Sequence, residues 1–222
     1  MNKTLIALSV ACLGMSLSAQ SMAASSTLET VKARGQLICV VNTAAPGFAS
    51  VDSKGNWTGL DVDVCRAVAA ATLGDASKVK FVPLSSPQRF TALQAGEIDM
   101  LARNTSWTMN RDTTTGALFT AVTYYDGQGF MVPKRLNVKS AKQLNGATIC
   151  VQSGTSSEKS WADFFTTHNL KFKRVVFDTP EAAHAAAFSG RCPASTNDMI
   201  ALPGARTNYI NSAVDAFSPY GR

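Results

Sequence analysis

Three short stretches hold side chains suited to gripping a small charged solute. The first, RNTSWTMNRD, runs from Arg103 to Asp112 and offers Asn104, Thr105, Ser106 and Thr108, with Arg111 one turn beyond. The second, QSGTSSE from Gln152 to Glu158, presents Thr155 and Ser156 beside a glycine; the third is the pair Asn197 and Asp198. A guanidinium meets a carboxylate with a planar two-point fork, and a fixed carboxylate meets an ammonium. Hydroxyls and backbone N–H groups at a helix start serve the remaining oxygens. Together these types match the two poles of a zwitterion, whose charges must both be paired when water is removed. Each stretch also has a plainer explanation. RNTSWTMNRD can be a solvated loop, Thr155-x-x-Glu158 an ordinary capping box, and Asp198 a helix cap.

Other chemistries lack their residues. The chain has no GxSxG, no HExxH, no CxxC and only two histidines, His168 and His184, so neither a nucleophile with an evident base nor a metal site is expected, and no cofactor.

The elements that must position these stretches follow from periodicity and punctuation. A short helix over Thr27 to Arg34 stops at Gly35, and a β-rich run covers Leu37 to Val41. Asp52 to Trp57 has hairpin-turn chemistry. GLDVDVCRAVAAATLG, from Gly59 to Gly74, repeats apolar residues at helical spacing, and that stripe is expected to be core packing. A strand over Lys78 to Pro83, a helix over Pro87 to Ala95 and a third strand over Ile98 to Ala102 complete the first half. The pattern then restarts. Strands are expected over Thr148 to Gln152, Lys173 to Phe177 and Cys192 to Thr196. Helices are expected over Ser156 to His168, Pro180 to Phe188 and Asp198 to Tyr209. Such alternation argues for parallel sheets with helical crossovers. In open sheets of that kind ligands sit beyond the carboxyl ends of the strands, where RNTSWTMNRD falls. Two glycines interrupt the strand-like segment Tyr124 to Phe130, which reads as a hinge between two lobes.

The chain has 222 residues, 45% hydrophobic and 16% charged, enough for one substantial core or two modest ones. Residues 1–24 read as an export signal: Lys3 is the positive head, Leu5 to Leu17 the apolar stretch, and small residues surround Ala23 and Ala24. Acylation at Cys12 is the weaker reading of the same segment. No later stretch has the roughly 20 apolar residues a membrane-spanning helix needs. In an oxidising compartment Cys39, Cys65, Cys150 and Cys192 form an even set that allows three pairings. Cys39–Cys65 with Cys150–Cys192 is favoured, because each pair stays within one expected lobe. The net charge of +6 is scattered without a run of Lys or Arg, so nucleic acid is not an expected partner.

In this order and spacing, the motifs resemble the family-3 solute-binding proteins of bacterial ABC transporters. GLDVDVCRAVAAA is similar to the G-[FL]-D-[IV]-D signature, RNTSWTMNRD to the carboxylate-binding loop, and VQSGTSSE to the loop of the second lobe. RNT-x-W-T-x-x-RD, YYDGQGFMV and CVQ-x-GT look like the general L-amino-acid-binding branch, over roughly Thr27 to Asn208. The resemblance implies an α/β fold of the periplasmic-binding-protein-like type II. It has two lobes of mainly parallel sheet with flanking helices, joined at a hinge, with the C-terminal return to the first lobe missing. Residues 1–24 would be the signal peptide, 25–126 an incomplete first lobe and 127–222 the second.

The resemblance further implies a monomeric periplasmic protein that binds a free L-amino acid and docks on an inner-membrane permease, without catalysis. Arg111 would grip the α-carboxylate with Ser106 and with Thr155 or Ser156. Asp198 would face the ammonium, helped by Asn104 and Ser106. Phe48, Ser86 and Arg89 would border the side-chain pocket. Asn42 stands where relatives selective for basic amino acids place an acid, which argues against strict Lys or Arg specificity. Two departures stand out: Pro193 after Cys192, expected to disturb the strand before Asp198, and a tail from Ala213 to Arg222 unlike the family. The alternatives are a truncated remnant that binds nothing and an enzyme on the same fold, such as a dehydratase.

Overall fold

The computed structural model describes residues 26–42, 44–207 and 214–217. The expected signal peptide, the last two residues of the expected final helix and most of the unusual tail lie outside them.

Helix α1 (Thr27–Arg34) starts at Ser26, whose hydroxyl accepts the Glu29 N–H, and ends at Gly35 in the left-handed conformation. Strand β1 (Leu37–Val41) follows, then a small antiparallel sheet of β2 (Ala44–Ala45), β3 (Ala49–Val51) and β4 (Trp57–Thr58). Helix α2 (Leu60–Leu73), β5 (Val79–Pro83), α3 (Gln88–Gln94), β6 (Met100–Leu101) and α4 (Met109–Thr114) complete the first half. Both β5 and β6 pair parallel to β1, giving the order β5-β1-β6. Strand β1 is covered on both faces, as its unbroken apolar run requires: Cys39 and Val41 pack with Val62 and Cys65 of α2, and Val40 packs with Ala92 and Ile98. Residues 116–127 carry no regular element and lead to the second half.

There β7 (Gln128–Pro133), β8 (Thr148–Gln152), α5 (Ser156–Thr167), β9 (Lys173–Phe177), α6 (Pro180–Phe188), β10 (Ala194–Asp198), α7 (Ala201–Thr207) and β11 (Val214–Phe217) form a five-stranded sheet with its helices, in the order β11-β7-β10-β8-β9. Strands β10, β8 and β9 are parallel, whereas β7 runs antiparallel to β10 and β11. One face packs Phe130, Ile149 and Val151 against Trp161 and Phe165, whose rings meet edge to face at 5.5 Å. Disulfides join Cys39 to Cys65 and Cys150 to Cys192, with Cα separations of 6.1 and 5.8 Å, each within one half.

Three expectations are corrected. The strand placed at Cys192 to Thr196 begins two residues later, at Ala194, so Pro193 precedes the ladder and leaves it whole from Ser195 to Asp198. Asp198 is therefore a strand end, and helix α7 starts only at Ala201. The segment expected as a hinge, Tyr124 to Phe130, is shortened at its end: residues 124–127 lie in the irregular linker between the halves, whereas 128–130 enter β7, where Gly129 pairs with Asn197. A Cβ on Gly129 would collide with Met199 Sδ and stand 2.6 Å from Leu202 Cδ1, so this glycine answers packing beneath α7 rather than bending.

Candidate functional site

The carboxyl end of β6 turns sharply into the polar loop. Arg103 is buried, with Nε donating to the Leu84 carbonyl at 2.8 Å and Nη1 to Ser86 Oγ at 3.1 Å. Asn104 then adopts a φ of 30°, a region asparagine tolerates better than most residues. Its backbone N–H donates to Asp61 Oδ2 at 3.0 Å. Asp61 is the second residue of α2 and 3% exposed, so the first acidic residue of the helix signature holds the loop in place. The Asn104 side-chain amide points across to the other half and donates to Asp198 Oδ2 at 3.4 Å.

Asp198 enters from the end of β10. Its Oδ1 accepts from Ser157 Oγ at 3.4 Å, from the first turn of α5. Thr155 caps that helix: its hydroxyl accepts the Glu158 N–H at 3.1 Å and donates to the Gln152 carbonyl at 2.8 Å. Glu158 Oε2 accepts from the Gly154 N–H at 3.1 Å, so the carboxylate reaches one residue further back than a capping box requires.

Two more contacts cross between the halves. Ser106 Oγ and Ser156 Oγ share a hydrogen bond of 2.7 Å. Arg111, 7% exposed, donates from Nη1 to the Ser106 carbonyl at 2.9 Å and from Nη2 to the Gly154 carbonyl at 3.3 Å. A Cβ on Gly154 would lie 3.1 Å from the Pro87 backbone nitrogen, and its φ is +66°, so this close approach is open to glycine alone.

One crevice lies between these elements. Asn104, Thr155, Ser156, Asp198, Ser86 and Arg89 line it, all of them expected from the sequence. Arg103 and Gln152 line it too, without a role expected for either, as do Asn197, expected only as the neighbour of Asp198, and Asn42, read only as a mark against basic side chains. Ser106 and Arg111 are not among the lining residues; they engage each other and the second half. Phe48 does not line it; the ring packs edge to face on Tyr124 at 5.2 Å. Arg103 was legible only as the first letter of the polar loop, and Asp61 was passed over because the helix that carries it reads as core packing.

Burial dominates the electrostatics. It raises the Asp198 carboxyl above the usual carboxylate range, with Asp126 adding to the rise and Asn104, Ser157 and Arg89 opposing it. Asp61 is also raised by burial, against the Asn104 N–H and the Arg103 charge. The guanidiniums of Arg89, Arg103 and Arg111 are all pushed down by burial. Arg89 is pushed furthest, with Arg111 and Arg103 acting in the same direction. Such a set can hold a small molecule with separated positive and negative groups. Among the described residues no group of three or more His, Cys, Asp or Glu is placed to hold a metal, and no helix is long and apolar enough to cross a membrane.

Two lobes of α/β structure with polar strand ends and helix starts facing a common crevice define the type II periplasmic-binding-protein fold. Residues 37–208 match the bacterial extracellular solute-binding proteins, family 3, and the chain belongs to that family. It is 54% identical over 86% of its length to the general L-amino acid-binding periplasmic protein AapJ of Rhizobium johnstonii. It is 52% identical, again over 86%, to the glutamate/glutamine/aspartate/asparagine-binding protein BztA of Rhodobacter capsulatus. The chain spans 56% of the length of each. A periplasmic binding protein from Brucella ovis, solved with glutathione bound, superposes with a TM-score of 0.78 at 48% identity; the match covers 88% of this chain and 64% of that one.

Proposed function

We propose that this chain binds a free L-amino acid in the crevice between its two lobes, residues 25–126 and 127–222, as the solute-binding component of an ABC transporter. The observation that carries the reading is the approach of Asn104 and Asp198 from opposite halves, with Arg111 spanning the same gap a short way off. Asp198 faces the ammonium, with Asn104 adding an oxygen. Arg111 serves the α-carboxylate with Ser106 and the Thr155–Ser156 helix start. Ser86 and Arg89 border the side chain. The amino-acid ligands named for the Rhizobium and Rhodobacter relatives support the ligand class. Residues 1–24 direct export to the periplasm, where the closed, monomeric form docks on an inner-membrane permease, and the protein performs no chemistry on its ligand.

The test is a thermal-denaturation screen of purified protein against the common L-amino acids, followed by calorimetric titration. A ligand that binds only the native state stabilises it by about 2.7 kcal/mol at a hundred times its Kd. A monodisperse protein that no amino acid stabilises refutes the proposal.

A further inference from the structure

The surplus of positive charge, scattered along the sequence, is gathered by the fold. Residues 25–126 carry nine Lys and Arg against nine Asp and Glu, whereas residues 127–222 carry eleven against six. Apart from Lys3, the whole excess therefore lies in the second half. Strand direction then places it within that half. Strands β8, β9 and β10 are parallel, and the crevice-lining Gln152 and Asp198 stand at the carboxyl ends of β8 and β10. Lys171 and Lys173 sit at the amino end of β9. Lys142 belongs to the 3-10 turn Ala141–Leu144 that precedes β8. The Gly146 N–H donates to the Lys171 carbonyl at 2.6 Å and the Lys173 N–H to the Ala147 carbonyl at 2.9 Å, which lays these two segments side by side. Strand β7 runs the other way, so the 3-10 turn that follows it, Lys134–Leu136, comes to the same end. A five-residue strand, about 17 Å, separates that end from the crevice.

The cations gathered there are not spent on the protein's own acids. Lys134, Arg135, Lys142, Lys171 and Lys173 are all exposed, and none forms an ion pair among the described residues. No Asp or Glu occurs from Gly127 to Ser157 or from Phe164 to Phe177. Among the described residues, Asp215, opposite Val132 on β11, is the acid that strand register brings to this end. An apolar side chain stands with the cations: Leu136, next to Arg135, is 42% exposed. Four of the five cations are lysines, point charges on long stems that suit phosphates spread over a surface better than one planar carboxylate. Lysines around an exposed leucine match a bilayer surface, with its anionic headgroups above an apolar layer. We infer that this end of the second lobe docks on an anionic phospholipid surface, with Leu136 among the headgroups. The crevice lies at the opposite end of the lobe and stays clear of the lipid, so the inference is independent of what the crevice binds.

Sedimentation of the full chain with vesicles tests this, comparing mixed phosphatidylglycerol–phosphatidylcholine vesicles with pure phosphatidylcholine. Binding is expected to the anionic vesicles alone and to fade as salt is raised. Each basic residue near such a surface is worth about fivefold in partition, so Lys142→Gln with Lys171→Gln should weaken binding about 25-fold. Lys32→Gln with Lys54→Gln removes the same charge from exposed positions of the first half and should change binding by less than about twofold. All four positions are exposed, so both double variants are expected to fold, which circular dichroism checks. No binding, or equal binding to the two kinds of vesicle, overturns the inference. An equal loss in the two double variants overturns it as well, since bulk charge would then be the cause. Capture of heparin, a soluble polyanion, without binding to vesicles overturns it in favour of an acidic polymer.

Discussion

Replacing Arg111 by alanine tests the proposed site at the group asked to do most. The guanidinium is 7% exposed and already oriented by two carbonyls, Ser106 from its own loop and Gly154 from the facing lobe. If it pairs the α-carboxylate, its loss leaves the ligand anion without its charged partner. Truncating one partner of such a pair costs about 2–5 kcal/mol, or roughly 30- to 4000-fold in Kd. A separate effect falls on the free protein: the two carbonyls lose a charged donor, for about 1–3 kcal/mol each at most where they stay dry. Urea denaturation without ligand measures that second effect, and calorimetric titration with the best ligand measures the first. Arg111→Lys keeps the charge but not the fork, and so should recover part of the affinity. A Kd for Arg111→Ala within about threefold of the wild type, in a protein that still folds, would refute the assignment of Arg111 to the carboxylate.

Gly154→Ala places a methyl against the Pro87 and Ser86 backbone and strains a positive φ; affinity should fall by about tenfold or more, read by titration, with the lobes held apart. His184 supplies a pH signature. Burial lowers its pKa from 6.5 to about 4, with Nδ1 hydrogen-bonded to Ser195 Oγ at 2.9 Å. The unfolded chain therefore takes up the proton first on acidification. The associated stability is complete above about pH 6.5 and is lost as pH falls through about 4, amounting to about 3 kcal/mol. Urea denaturation across that window should show the slope in the wild type and a flatter one in His184→Gln.

Much of the fold was legible because its signals are local. Gly35 and Gly74 close α1 and α2, and the apolar run Leu37–Val41 is what a strand covered on both faces needs. The misplaced strand at Cys192 had a local cause as well. Cys192 and Pro193 continue the apolar pattern, but proline offers no ladder donor, so pairing begins beyond it, and the polar pair Asn197–Asp198 joins the strand through its pairing with β7. Gly129 misled in the same way, since the side chains that exclude a Cβ there come from 70 or more positions away in the chain.

Residue type made the crevice-lining groups visible; partnership stayed hidden. Asn104, Thr155 and Asp198 could be picked out as short polar side chains at strand ends and a helix start, although capping alone accounts for Thr155. Nothing in the sequence pairs Asp61 with the Asn104 N–H, across 43 positions, or brings Arg89 to the Arg103 carbonyl. That pairing is what fixes the crevice. With its N–H held by Asp61, Asn104 is kept at a φ that aims its amide across the gap at Asp198, so the first lobe presents a preset donor to the second. An acid in the opening turn of α2 thus shapes the crevice through the loop it anchors: it has no place in the lining, yet it holds Asn104, which does.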